Sequence, residues 1–399
     1  MNIDSLPGNP PYEAGFRVVD FTLGNRQYNA QKALIIAELG TSHGGDLARA
    51  KELAGAAGEA GADCVKFQIV YADEILHPNT GEVALPGGKI RLYDRFRQLE
   101  VHPDFFAEMK AYVESRGLLF LCTPFGPRSA GELRALNPEL VKIASPELNY
   151  TALLREIASW KLPVLLSSGV SKLGDIEEAL ELLGAVQAAG KPAAAVPAQT
   201  GAAICLLHCV TAYPAPESDY NLRLLPGLNA VFGLPVGLSD HSLDPELVPA
   251  LGISQGAALI EKHFCLSRDD PGLDDPIALP PPLFARMVRA VRRASKAGPE
   301  ETLAAYSRDR GAALVEQVLG SGIKVLAPSE QANYTRTNRS IHALREIRAG
   351  ETIGPGDFAV LRTEKNLRPG LPPSWEPLLR GRKARNPIPA GEGIRFDDI

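Results

Sequence analysis

Eight short, nearly continuous apolar runs punctuate the chain as far as Phe264. They are Ala33–Glu38 (ALIIAE), Asp63–Gln68 (DCVKFQ), Leu118–Thr123 (LLFLCT), Leu140–Ser145 (LVKIAS), Pro163–Ser168 (PVLLSS), Ala203–Cys209 (AICLLHC), Pro235–Asp240 (PVGLSD) and Ala258–Phe264 (ALIEKHF). None alternates strictly between apolar and polar, which predicts parallel strands covered on both faces. Amphipathic stretches lie between them, such as DLARAKELAGAAGEAG, HPDFFAEMKAYVESRG and LGDIEEALELLGAVQAAG. The last has an Asp near its first turn and ends at Gly, a sensible helix start and stop. Eight strands alternating with helices over about 260 residues predict an α/β fold of the (β/α)₈ TIM-barrel type. An open doubly wound sheet fits the alternation too, but no Gly-rich turn follows the first run.

One connection is long. Between Gln68 and Pro103 runs YADEILHPNTGEVALPGGKIRLYDRFRQLEV, which in a barrel lies at the catalytic face and reads as a lid. After LFARMVRAVRRASKA the pattern changes. The chain divides into an N-terminal extension (1–32), the barrel (33–298), a helix and linker (299–337) and a small β-rich module (338–399) of short strands and turns. Within that module IRAGETI and IPAGEGI form a pseudo-repeat. Residues 338–399 carry 11 Lys and Arg against 8 Asp and Glu, so the module is mildly basic within an acidic chain. It is too small to hold much chemistry of its own.

Composition narrows the function classes. The 399 residues are 45% hydrophobic and 22% charged, a globular balance. Forty-two Lys and Arg stand against 47 Asp and Glu, a net charge of −5. No nucleic-acid partner is expected, and an anionic substrate needs a local basic pocket. No apolar run approaches the ~18–20 residues of a membrane span, and the N-terminus lacks the basic start and apolar core of a secretory signal. The five cysteines, Cys64, Cys122, Cys205, Cys209 and Cys265, form no CxxC pair and read as small buried hydrophobes. A cytoplasmic protein without a membrane partner is the expectation.

The chemistry gathers where the C-terminal ends of the strands meet. In order these ends carry Glu38, Lys66 with Gln68, Thr123, Lys142 with Ser145 and Glu147, Ser167 with Ser168, His208, Ser239 with Asp240 and His241, and Glu261 with Lys262 and His263. Lys66 and Lys142 lie inside apolar runs, where an ammonium group demands an anion. With Thr123, Ser145, Ser167 and Ser239 they outline a pocket for phosphate and carboxylate. Structural ion pairs to Glu38 or Glu147, or a Schiff-base lysine, are the alternatives. His241 and His263 close neighbouring strands and can share a divalent cation with positions left open for Lewis-acid work; the other reading is two core histidines. His208 is a third candidate that reads equally as packing. Glu38 and Glu147 face the same mouth as acid–base candidates. These residues alone describe a barrel enzyme acting on a phosphorylated or carboxylated metabolite.

The motifs IAELGTSHGG, VKFQ, TPFG, VKIASPELN, LLSSGVS, LLHCVTAYPAP, VGLSDHS and IEKHF follow in the order seen in sialic acid synthases. TNRSIHALREIRAGETI and LRPGLPP resemble the antifreeze-like (SAF) domain fused to bacterial members. The resemblance runs from about Ala33 to Ile399. It implies condensation of phosphoenolpyruvate with N-acetylmannosamine to N-acetylneuraminate and phosphate, assisted by Mn²⁺ or Mg²⁺. Lys66, Thr123, Lys142, Ser145, Ser167 and Ser239 would hold phosphoenolpyruvate, and His241 and His263 the metal; His208 drops out. Gln68, Tyr213, Glu261 and Asp274 would contact the sugar, and Glu147 is the first choice to activate water, with Glu38 beside it. Arg339 resembles an arginine that enters a partner subunit's barrel to bind the N-acetyl group, which implies a domain-swapped homodimer.

The sequence departs from the family pattern at Ser42, at Thr211 and in PGLDDPIALPP around Asp274. These departures bear on the acceptor and leave open a legionaminate, pseudaminate or spore-coat sugar. Two readings from other classes compete: a Schiff-base pyruvate lyase, and a carbohydrate- or ice-binding module on a degenerate barrel. Retention of both histidines, both lysines and both glutamates argues against the second.

Overall fold

A computed structural model describes residues 19–85, 88–185 and 203–399, with the side chains of 83–88 outside the description. Residues 1–18 of the expected extension, and 186–190 at the end of one expected helix, lie outside the described residues.

All eight apolar runs are strands: β1 (Leu34–Gly40), β2 (Cys64–Ile69), β3 (Leu119–Pro124), β4 (Val141–Ile143), β5 (Val164–Ser167), β6 (Ile204–Cys209), β7 (Val236–Asp240) and β8 (Leu259–His263). They pair in parallel in the order β3-β2-β1-β8-β7-β6-β5-β4, and β3 and β4 lie side by side to close the ring. A helix follows each strand, from α1 (Leu47–Glu59), capped by Asp46 accepting from Ala48 and Arg49 N–H, to α8 (Pro281–Ala297). The fold is a TIM barrel.

Alternation within each strand sorts its side chains. Ile35, Ala37, Val65, Phe67, Leu166 and Leu206 face the helices in the main core. Leu34, Ile36, Cys64, Leu119, Leu121, Leu165, Leu207 and Leu259 fill the barrel's interior as a second cluster. That cluster is sealed below by an N-terminal hairpin (Phe21–Leu23 with Arg26–Tyr28), whose Phe21, Leu23 and Tyr28 plug the barrel floor. Part of the unmatched first 32 residues is thus structural. Phe21→Ala should cost about 3–5 kcal/mol, read as a lower urea midpoint with activity per folded molecule unchanged.

The long connection after β2 is ordered into a short helix (Ala72–Ile75), a hairpin (Glu82–Leu85 with Gly88–Arg91) and a second helix (Leu92–Gln98). It is docked on the C-terminal domain: Asn366 Nδ2 donates to Thr80 O (2.6 Å) and Glu82 O (2.9 Å), and Asn79 Nδ2 to Ala390 O (3.0 Å). The expected lid is therefore a seat for that domain. Helices α9 (Pro299–Arg310) and α10 (Ala312–Leu319) lead into a linker over the barrel's mouth. Residues 338–399 contain an antiparallel pair, β9 (Arg339–Ala343) and β10 (Phe358–Arg362). The two pseudo-repeat segments meet at an Ile347–Ile388 bridge, each turning at a left-handed glycine, Gly350 and Gly391.

Candidate active site

The inward column of each strand changes character near its C-terminal end. Leu34 and Ile36 give way to Glu38, Cys64 to Lys66 and Gln68, Leu119 and Leu121 to Thr123, Leu165 to Ser167, and Leu259 to Glu261 and His263. Lys142, Ser239 and His241 complete the ring, and all of these except Gln68 are buried. Residues one step out of phase point elsewhere. Asp240 and Lys262 form a buried pair at 2.6 Å that also involves Ser242, and His208 donates to or accepts nothing in the ring, meeting Tyr220 O at 2.5 Å. His208 is packing.

Two ammonium groups converge on one carboxylate. Lys66 Nζ lies 2.9 Å and Lys142 Nζ 3.7 Å from Glu261 Oε1, which also accepts from Ser239 Oγ at 3.0 Å. Lys142 Nζ donates to Ser167 Oγ (2.7 Å), and Lys66 Nζ also meets Glu38 Oε2 (3.2 Å). The expectation of a structural ion pair to Glu38 is thus met for Lys66, while Glu261, assigned by resemblance to the sugar, stands at the lysines instead. Thr123 Oγ1 is buried without a partner among the described residues. Ser145 Oγ accepts from Gly169 N–H at 2.9 Å.

These contacts set contrasting protonation states. Burial drives Glu38 up to about 7 against the pull of Lys66, and its neighbour Glu261 adds to the rise. Burial also pushes Glu261 up, but Lys142 and Lys66 outweigh it and hold that carboxyl at about 2. Lys142 falls to about 8, chiefly by desolvation. Two neighbouring carboxylates pushed apart in this way mark an acid–base site.

Beside this centre the His241 and His263 rings stand 5.4 Å apart, with Tyr213 stacked on His241 at 4.3 Å. His241 Nδ1 meets Val210 O at 2.8 Å, so the proton sits on Nδ1 and Nε2 keeps its lone pair. Burial takes His263 well below its usual range and keeps it neutral. His263 thus has the state a ligand needs, whereas Cys209 and the Val210 carbonyl raise the basicity of His241 against its burial. Among the described residues no three His, Cys, Asp or Glu side chains form a metal shell, so the pair fits a cation completed by substrate and water. Asp274 Oδ2 lies 3.7 Å from His263 Nδ1. It also converges with Gln68 and Glu38 over Gly40, where an added Cβ would meet all three within 3.5 Å.

Glu147 is not free. Its Oε1 accepts from Arg339 Nε (3.1 Å) and Nη2 (2.9 Å) and from Arg362 Nε (3.1 Å) and Nη2 (2.6 Å). Arg339 and Arg362 face each other across the β9–β10 ladder, a like-charge pairing that the carboxylate between them makes tolerable. Arg339 Nη1 donates to Glu74 O and Val360 O, and Nη2 to Phe125 O, which uses all five of its N–H donors. All five donors are thus engaged within one chain, where the resemblance implied contact with a sugar's N-acetyl group in a partner's barrel. Arg362, 12% exposed and with Nη1 unpartnered among the described residues, is the arginine with donors to spare. Sequence reading missed it because FAVLR looks like a strand with a flanking surface charge; only its register with Arg339 marks it.

Fold and site together define a (β/α)₈ barrel whose strand ends carry paired lysines, a perturbed carboxylate and an imidazole pair, closed by a C-terminal domain. The chain belongs to the NeuB family, whose signature spans residues 53–302, and residues 338–399 match the SAF domain. It is 32% identical to the spore coat polysaccharide biosynthesis protein SpsE of Bacillus subtilis, covering 97% of each chain. The crystal structure of SpsE aligns with a TM-score of 0.76 at 31% identity, over 96% of this chain and 99% of that one. The N,N'-diacetyllegionaminic acid synthase of Legionella pneumophila is also 32% identical, over 94% of this chain and 99% of its own. The N-acetylneuraminic acid synthetase of Leptospira borgpetersenii, solved with citrate, matches at 28% identity and a TM-score of 0.61, over 79% of this chain and 95% of that one. Among the described residues no helix is long and apolar enough to cross a membrane.

Proposed function

We propose that the barrel mouth condenses phosphoenolpyruvate with an N-acetylated amino sugar and releases phosphate by C–O cleavage. N-acetylmannosamine is the first acceptor to test, and a legionaminate-, pseudaminate- or spore-coat-type sugar is the alternative that the SpsE and legionaminic acid synthase relatives favour. The observation that carries this reading is the meeting of Lys66 and Lys142 beside the Ser167 and Ser239 hydroxyls and the unpartnered Thr123 hydroxyl. That ring suits the phosphate and carboxylate of one small dianion, which would compete with Glu261 for the ammonium groups. A single Schiff-base lysine has no need of so many hydroxyls.

Gln68, Tyr213, Asp274 and Arg362 line the acceptor half. His241 and His263 would hold Mn²⁺ or Mg²⁺, which when bound supplies Lewis acidity toward the acceptor's carbonyl. C3 of phosphoenolpyruvate forms the new bond to that carbonyl carbon, the C=O π pair moves to the oxygen, which takes a proton and becomes the product's hydroxyl, and C2 is left electron-poor. Water then adds at C2 and gives its proton to a carboxylate. Glu38 takes that part, since its raised basicity suits proton transfer near neutrality, whereas two guanidinium groups on Glu147 Oε1 make that carboxylate a poorer base. Collapse at C2 breaks the C–O bond, and Lys66 and Lys142 stabilise the departing phosphate.

The reading is tested by phosphate release from phosphoenolpyruvate with metal-stripped protein, Mn²⁺ restored, and a panel of acceptors. Release that requires both metal and one N-acetylated sugar is expected. Release without any acceptor, or pyruvate trapped on a lysine by borohydride, would contradict it.

A further inference from the structure

Glu330, in the linker before the SAF domain, is 1% exposed, and among the described residues its carboxylate accepts from backbone N–H groups alone. Its Oε1 accepts from two backbone N–H groups, Val170 and Thr211, each at 2.7 Å, and its Oε2 from Ala327 N–H at 3.3 Å. A buried carboxylate is costly unless its contacts are needed. A negative charge beside an anion site does nothing for the anion's affinity, so the contribution of Glu330 is geometric.

The geometry it fixes is unusual. Val170 has φ +43°, a left-handed conformation that a β-branched residue avoids. Its N–H is held by Glu330 and its carbonyl by Asn338 Nδ2 at 3.1 Å. Two residues earlier, Ser168 O accepts from Lys324 Nζ at 3.3 Å. Between them, Gly169 donates its N–H to Ser145 Oγ at 2.9 Å, in a space so tight that an added Cβ would stand 2.1 Å from Thr211 Oγ1 and 3.2 Å from Glu330 Oε1. Two linker side chains, Lys324 and Glu330, and Asn338 at the start of the C-terminal domain thus hold the turn that follows Ser167, and Glu330 ties it to the turn after β6.

We propose that Glu330, supported by Lys324 and Asn338, is a positioning residue for the anion-binding half of the site. The linker sets the shape of the turn that follows Ser167 and donates to Ser145, so closure by the C-terminal arm and the readiness of the phosphoenolpyruvate subsite are one event. The proposal rests on the assignment of that subsite to phosphoenolpyruvate.

Glu330→Ala, Asn338→Ala and Glu330→Gln, each in the full chain, test it by two readouts. The first is hydrogen exchange of peptides spanning 164–172 and 206–212, which needs no ligand. Glu330→Ala should speed exchange in both peptides; unchanged exchange would overturn the clamp. The second is calorimetric titration with phosphoenolpyruvate and the two KM values. Glu330→Ala should weaken phosphoenolpyruvate by at least about tenfold while the acceptor KM moves by less than about threefold, the size expected when a binding group is misplaced by a fraction of an ångström. Asn338→Ala should follow in the same direction, and Glu330→Gln, whose amide oxygen still accepts both N–H groups, should stay near wild type. Faster exchange with unaltered phosphoenolpyruvate affinity, or equal losses in both KM values, would sink the positioning role. A wild-type protein that binds no phosphoenolpyruvate would instead overturn the functional reading, with the exchange result still deciding the clamp.

Discussion

Glu38→Gln is expected to lower turnover by about 10²–10⁴-fold, the usual worth of a positioned general base, with phosphoenolpyruvate affinity little changed. The carboxylate lies between Lys66 and Gln68, with Gln68 Nε2 donating to Oε1 at 2.6 Å and Lys66 Nζ 3.2 Å from Oε2. The amide isostere keeps the shape but cannot take a proton. Burial holds Glu38 at about 7, so the base form is lost as pH falls through neutrality. In the wild type, kcat/KM should therefore fall about tenfold per unit below about pH 7, with a second fall above about pH 8 as Lys142 loses its charge. Gln68→Ala removes a donor that favours the ionised form, and should move the acid limb to higher pH. A profile with no acid limb near pH 7 would return water activation to another group.

Glu147→Ala should act on a different quantity. Its carboxylate and the Arg339 guanidinium are both fully buried, and Arg362 shares the same oxygen. Removing one partner of a buried pair costs about 3–5 kcal/mol because the remaining charge is left uncompensated. Here two charges are left, on adjacent strands of the domain that closes the barrel. The C-terminal domain should melt or undock in a separate calorimetric transition, and the linker should become open to limited proteolysis. Turnover falls as a consequence, through loss of closure. If Glu147→Ala keeps wild-type stability and domain docking yet loses turnover, Glu147 rather than Glu38 is the base.

The barrel was legible because its signals are local and repeated. Each strand is a short apolar run, and each run ends in a residue too polar for a core, such as Lys66, Lys142 or His263. The local reading set Glu261 at the mouth without its neighbours, since contact with the lysines depends on which neighbouring columns converge, and that is a property of the closed ring. Arg362 and Glu330 escaped for a related reason. Each lies in an unremarkable polar stretch and meets its partner more than a hundred residues away, Glu147 in one case and Val170 and Thr211 in the other. The motif containing Arg339 was recognisable, but the exhaustion of its donors by backbone carbonyls is written only in three dimensions. The hairpin at Phe21–Tyr28 was too short to show a strand period, and its apolar residues gain meaning only against the floor they seal.

The central claim is that phosphoenolpyruvate loses its phosphate at carbon, through water adding at C2, in the ring of Lys66, Lys142 and Glu38. It is tested most directly with phosphoenolpyruvate carrying ¹⁸O in the bridge between C2 and phosphorus, turned over with the acceptor that supports release. Cleavage of the C–O bond sends the label into inorganic phosphate, and the account predicts that phosphate isolated by mass spectrometry carries it. Label left on the C2 oxygen of the sugar acid would mean that the P–O bond breaks, and would contradict the mechanism assigned to this site.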